Sequence, residues 1–89
     1  MGLRRYANKR DANEADIIAA LEALGCQVRR IDVPVDLLVL HRGTVHLVEV
    51  KTAKGRITRD QYAFFEGWPV TVLRSVDDAI TFVRGKVAA

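Results

Sequence analysis

Three charged residues stand in stretches that otherwise read as apolar strand: Asp36, Glu49 and Lys51. Charge inside a strand fit for a core needs a compensating partner. Two carboxylates and an ammonium form a set that can act on a phosphodiester. Hard carboxylate oxygens suit Mg2+ or Mn2+, which bind through few protein groups and keep several waters. Such an ion polarises a phosphoryl oxygen and activates a water, and a lysine beside it can orient that water or stabilise developing charge. The competing reading of the same residues is an ion-pair network, with Lys51 neutralising Glu49 and Asp36 capping a strand.

The elements that must position these groups follow from the pattern. Residues 35–41 and 44–51 are β-rich runs joined by Arg42-Gly43, which predicts a hairpin. With a two-residue loop, counting outward pairs His41 with Thr44, Leu40 with Val45, Leu38 with Leu47 and Asp36 with Glu49. Opposed residues share a face, about 4.5–5.5 Å apart at Cβ, and alternation brings Lys51 to that face too. Two carboxylates so close repel each other unless positive charge lies between them. From about Asp11 to Leu24, Ile17, Ile18, Leu21 and Leu24 recur at helical spacing and Gly25 supplies a left-handed cap. Glu14 shares the buried face of that helix and can project towards the strand carboxylates. Asp11-Ala12-Asn13-Glu14 equally fits a capping box, in which Glu14 folds back on the backbone.

The remaining chain completes an α/β pattern. Residues 27–33 alternate weakly and predict an edge strand, and Pro34 belongs at a strand start or edge. The hairpin is apolar almost throughout, which predicts cover on both faces. Residues 52–57 form a loop. Thr58-Arg59-Asp60-Gln61 opens a helix, also as a capping box, with Ala63, Phe64 and Phe65 as its apolar bulk and Gly67 at its end. Trp68-Pro69 is a turn, residues 70–73 a short strand, and Ser75-Val76-Asp77-Asp78 caps a last helix whose apolar face is Ala79, Ile80, Phe82 and Val83. The order is α-β-β-β-α-β-α, and the strand–helix–strand succession makes the last strand parallel to the one carrying Glu49. The expected fold is a mixed central β-sheet flanked by helices, in one domain over residues 1–89 with a basic arm at residues 1–10. His41 and His46, five apart, fall on opposite faces by alternation and read as exposed turn histidines, poor as paired metal ligands.

Composition narrows the function classes. The 89 residues are 49% hydrophobic and 28% charged, with mean hydropathy +0.03, as expected of a water-soluble globular domain. No apolar run approaches the roughly 20 residues that span a bilayer, and the N-terminus lacks the apolar core of a signal peptide, so an intracellular protein is expected. The single Cys26 excludes an intrachain disulfide and reads as a buried structural thiol. Gly43, Gly55 and Gly67 each occur alone in turns, so no phosphate-cradling loop is expected, and no small-molecule organic cofactor is expected either. The net charge is +3 and the pI about 9.4. Arg4, Arg5, Lys9 and Arg10 cluster at one end of the chain, and Lys51, Lys54, Arg56 and Arg59 follow the second strand of the hairpin. Two basic clusters bracketing an acidic site suit a phosphate backbone; each member also reads as ordinary solvated charge.

Asp36 in a strand followed by Glu49-Val50-Lys51 after a hairpin resembles the PD-(D/E)XK nuclease superfamily. The helix with Glu14, the run Pro34-Val35-Asp36-Leu37-Leu38-Val39, the run Leu47-Val48-Glu49-Val50-Lys51, the loop Gly55-Arg56-Ile57-Thr58 and Gln61 together resemble its VRR-NUC branch, in particular the small stand-alone proteins of phages and prophages. The resemblance runs from about Asn13 to Val83. It implies a restriction-endonuclease-like core and a Mg2+- or Mn2+-dependent DNA endonuclease, with branched or Holliday-junction DNA among its substrates. Asp36, Glu49 and the backbone carbonyl of Val50 would hold the ion, Glu14 would be a metal or metal-water partner, Lys51 the catalytic lysine and Gln61 a supporting residue. It also implies a homodimer, which suits so short a chain. One departure is the proline, separated from Asp36 by Val35. The alternative from another class is a non-catalytic nucleic-acid-binding module that retains the fold.

Overall fold

The structure is a computed structural model and describes residues 12–88. Its elements are α1 (Glu14–Ala23), β1 (Gln27–Arg30), β2 (Leu37–His41), β3 (Thr44–Val50), α2 (Arg59–Phe65), β4 (Val70–Leu73) and α3 (Val76–Ala88). The four strands form one mixed sheet in the order β1-β2-β3-β4, antiparallel at the first two junctions and parallel between β3 and β4. This is the expected α/β order. The basic arm with Arg4, Arg5, Lys9 and Arg10 lies outside the described residues.

The hairpin register is the one the two-residue loop dictates. His41 pairs with Thr44, Leu40 with Val45 and Leu37 with Val48. Arg42 and Gly43 both take positive φ, 51° and 81°, which matches the twist of the flanking strands. A two-residue turn also reverses simple residue counting. His46 pairs with Val39, and His41 is two residues from Val39, so the two histidines share a face, contrary to the expectation from alternation along one strand. Neither is an exposed turn residue. His46 packs edge-on to Phe82, centroids 4.9 Å apart, and His41 Nδ1 lies 3.6 Å from the buried Cys26 Sγ.

That face is the core. Val28, Leu37, Val39, Val48, Val50 and Leu73 meet Ile17 and Leu21 of α1 and Ala79 of α3, with Ile18, Phe82 and Val83 packed around them. The other face carries Leu38, Leu40, Leu47, Val70 and Val72, all half-buried, and Val45, which is 60% exposed. The apolar hairpin predicts cover on both faces, and the structure differs: α1 and α3 cover one. The apolar run on the second face is continuous because α2, the element between the parallel strands, buries none of its own residues.

Two boundaries also differ. The edge strand β1 ends at Arg30 rather than continuing to Val33: the Ile31 N–H bonds the Asp36 carbonyl at 2.8 Å, one step further in the same register, and residues 32–35 must then make the bend into β2. The helix α1 begins at Glu14 with Asn13 as its N-cap and without a side-chain capping bond. Glu14 is thus the first residue of the helix; the capping box counted from Asp11 falls on a residue outside the described ones.

Candidate active site

The site lies at the ends of the parallel pair β3 and β4. Asp36 stands just before β2 and not within it. Its carboxylate Oδ2 accepts the Val50 N–H at 2.8 Å, extending the ladder by a side chain where the backbone pairing stops. Val35, the residue that separates it from Pro34, is fully buried and anchors the strand entry. Glu49 is paired with Val72 across the parallel junction and is only 4% exposed. Lys51 Nζ lies 3.4 Å from Glu49 Oε2, and Gln61 Nε2 donates to the same oxygen at 2.8 Å.

Gln61 unites two readings that the sequence leaves as alternatives. Its side-chain Oε1 accepts the Thr58 N–H at 3.0 Å, and its own N–H donates to Thr58 Oγ1 at 3.1 Å, a complete capping box. Because Oε1 is committed to the cap, Nε2 faces Glu49. The structure therefore brings Asp36, Glu49, Lys51 and Gln61 together from three segments of the chain: the entry to β2, the end of β3 and the first turn of α2.

The electrostatics of Glu49 follow from this packing. Burial and then the neighbouring Asp36 carboxylate push its pKa up to about 7, although the Lys51 charge and the hydrogen bonds from Lys51 and Gln61 favour the ionised form. A buried carboxylate raised by a second carboxylate is one that a cation would relieve, and the oxygen-only donor set of Asp36, Glu49 and the Val50 carbonyl has the chemistry that Mg2+ or Mn2+ takes. The residues present fit such an ion.

Glu14 stands apart. It is 3% exposed on α1, and its Oε1 is 3.3 Å from Arg30 Nε on β1. Among the described residues no three or more His, Cys, Asp and Glu side chains close around one point, so Glu14 does not complete a three-carboxylate cluster with Asp36 and Glu49. Lys54, Arg56 and Arg59 are all exposed, beyond Lys51 on the approach to α2 and at its first residue.

Two residues of the site escape sequence reasoning. Asn13 Nδ2 donates to the carbonyls of Lys51, at 3.1 Å, and Arg74, at 2.8 Å, clamping the chain just beyond both parallel strands; its Oδ1 is buried with no hydrogen-bond partner among the described residues. Arg74 Nη1 in turn donates to the carbonyls of Thr52 and Gly55, at 2.8 and 2.7 Å, and so fixes the basic loop. Gly55 makes that fold-back feasible, since a Cβ there would lie 3.2 Å from the Thr52 backbone nitrogen and hydroxyl. Asn13 has a local place only as the N-cap of α1, which does not point to Lys51 or Arg74, and only the closing of the sheet joins them. Comparison with known proteins finds no matching family model, no matching curated protein and no matching solved structure.

Proposed function

We propose that this chain is a Mg2+- or Mn2+-dependent DNA endonuclease of the PD-(D/E)XK type, resembling its VRR-NUC branch, that hydrolyses phosphodiesters with a metal-activated water. One observation carries the reading: a buried Glu49, raised to about 7 by burial and Asp36, lies against Lys51 and Gln61 at the end of the parallel strands. When bound, the ion would polarise a phosphoryl oxygen and increase the acidity of its water. Asp36, Glu49 and the Val50 carbonyl would hold it. Lys51 Nζ supplies positive charge next to Glu49, where a phosphate oxygen gathers charge, and Gln61 holds the Glu49 carboxylate in one orientation. Lys54, Arg56 and Arg59 offer phosphate contacts beside the site, and the half-open sheet face around Val45 offers apolar surface to a second copy.

A second reading, a nucleic-acid-binding module without catalysis, draws on a specific feature. Glu49 Oε2 is already met by Lys51 and Gln61, and Glu14 is engaged with Arg30. A nicking assay on plasmid and four-way-junction DNA separates the two. Metal-dependent cleavage with Mn2+ that falls at least 100-fold in Lys51→Ala, on the order expected for loss of an electrostatic catalyst, supports the enzyme. Equal, metal-independent behaviour of wild type and Lys51→Ala removes it.

A further inference from the structure

The chain has six aromatic residues of the Phe, Tyr and Trp types, and four of them, Tyr62, Phe64, Phe65 and Trp68, fall on or just after α2. Aromatic side chains ordinarily dominate a core, yet this core is aliphatic and none of the four is buried. Tyr62 is 65% and Trp68 56% exposed. The rings adjoin one another. Phe64 stacks on Trp68 with centroids 5.4 Å apart and planes at 12°, and Phe65 meets Phe64 edge-on at 6.1 Å. Phe65 and Tyr62 line one open groove of about 450 Å³ with Arg59, Ala63 and Glu66. Packing of the domain does not explain three rings on α2 and a fourth just beyond it when Phe64 and Phe65 are only half-buried and Tyr62 and Trp68 are exposed.

Charge selects the partner. Arg59 stands at the first residue of α2 and follows exposed Lys54 and Arg56, whereas Glu66 closes the other end of the groove. An anionic backbone is attracted at one end and repelled at the other, and the rings lie between. Tyr62 directly follows Gln61, which touches Glu49, so a strand lying along α2 passes the candidate site. We infer that α2 and the Trp68 turn form a stacking platform for unpaired nucleobases, which selects single-stranded stretches of nucleic acid over continuous duplex. In a duplex the base faces are stacked on each other and inaccessible; in a single strand each offers a π-face to an aromatic ring. The ligand class rests on the proposed nuclease reading.

Trp68 is the chain's single tryptophan, so its fluorescence reports on this surface. The metal-free 89-residue chain is titrated at fixed salt with oligothymidylate, with the same strand carrying abasic sites, and with blunt duplex of equal length, with affinity read by anisotropy of a labelled strand. The expected result is quenching of Trp68 by oligothymidylate and binding about tenfold tighter than to either the abasic strand or the duplex. Tyr62→Ala and Trp68→Ala lose that preference, and Trp68→Phe retains it. Should Trp68→Ala fail to fold by circular dichroism, Tyr62→Ala carries the test, because its ring is mostly in solvent. Equal affinity for normal and abasic strands, or unchanged preference in folded Tyr62→Ala, overturns the inference. So does a shift from dimer to monomer in sedimentation with nucleic-acid preference intact, which would assign the rings to a second copy. Cleavage with Mn2+ is measured in parallel. A chain that cleaves without base preference loses this inference alone, and one that keeps the preference but never cleaves loses the nuclease reading alone.

Discussion

At the scale of single residues, Glu49 makes stability depend on pH in a definite direction. Its pKa of about 7 in the folded chain lies above the roughly 4.3 of an unfolded glutamate, so the folded state binds the proton more tightly between those values. The protonated residue's contribution is present in full below about pH 4.3 and is lost as pH rises through about 7. The melting temperature of the metal-free chain should therefore fall between pH 5 and 8 through this group. Glu49→Gln should flatten that fall and melt higher than wild type at pH 8; identical profiles would show that burial does not govern this carboxylate. If the site takes Mg2+ as proposed, the ion must displace the proton, so Mg2+ affinity should rise with pH over the same window and level off above it, which calorimetry would register; no Mg2+ binding at any pH would remove the proposed metal. Asn13 supplies a second residue-scale prediction. Asn13→Ala leaves the Lys51 and Arg74 carbonyls without their donor and should cost about 1–2 kcal/mol in urea unfolding. Asn13→Asp should cost more, because it removes the donor and sets negative charge against two carbonyls.

At the scale of elements, the hairpin is the most legible part of the chain. Arg42-Gly43 determines the loop length, the loop length determines the register, and the register carries Asp36 to Glu49. The parallel β4 follows from the intervening helix in the same way. Local pattern does not reveal which face of the sheet is covered. Phe64 and Phe65 have the composition of core residues, but only the packing of α1 and α3 determines where core space exists. Counting along one strand misplaces the histidines, because the turn between them reverses direction. Asn13 is hidden because its partners are 38 and 61 residues away. Among the elements, α2 is the helix that buries none of its residues, and its cap is correspondingly important. Thr58→Ala should cost about 1 kcal/mol, a typical loss for an N-cap, and should raise amide exchange throughout Arg59–Phe65 while leaving β2 and β3 protected. Uniform loss of protection would mean that α2 and the sheet unfold as one unit.

At the scale of the whole molecule, charge and size matter together. A net charge of +3 on 89 residues is modest, so any affinity for a phosphate backbone must come from where the cations lie. If Arg56 and Arg59 each meet a phosphate, replacing both with alanine should lower the salt slope of duplex-DNA affinity by about 1.8, near 0.9 for each phosphate no longer neutralised. An unchanged slope would mean that they do not touch phosphate. No helix among the described residues is long and apolar enough to cross a membrane.

The capping box at Thr58 has one more implication. The Gln61 N–H is bonded to the Thr58 hydroxyl while the Gln61 side-chain amide is bonded to Glu49, so fraying the first turn of α2 should also withdraw Gln61 from the buried carboxylate and leave it to Lys51. The exchange rate of one backbone proton, at Gln61, should then be a clock for how often Glu49 loses its amide partner.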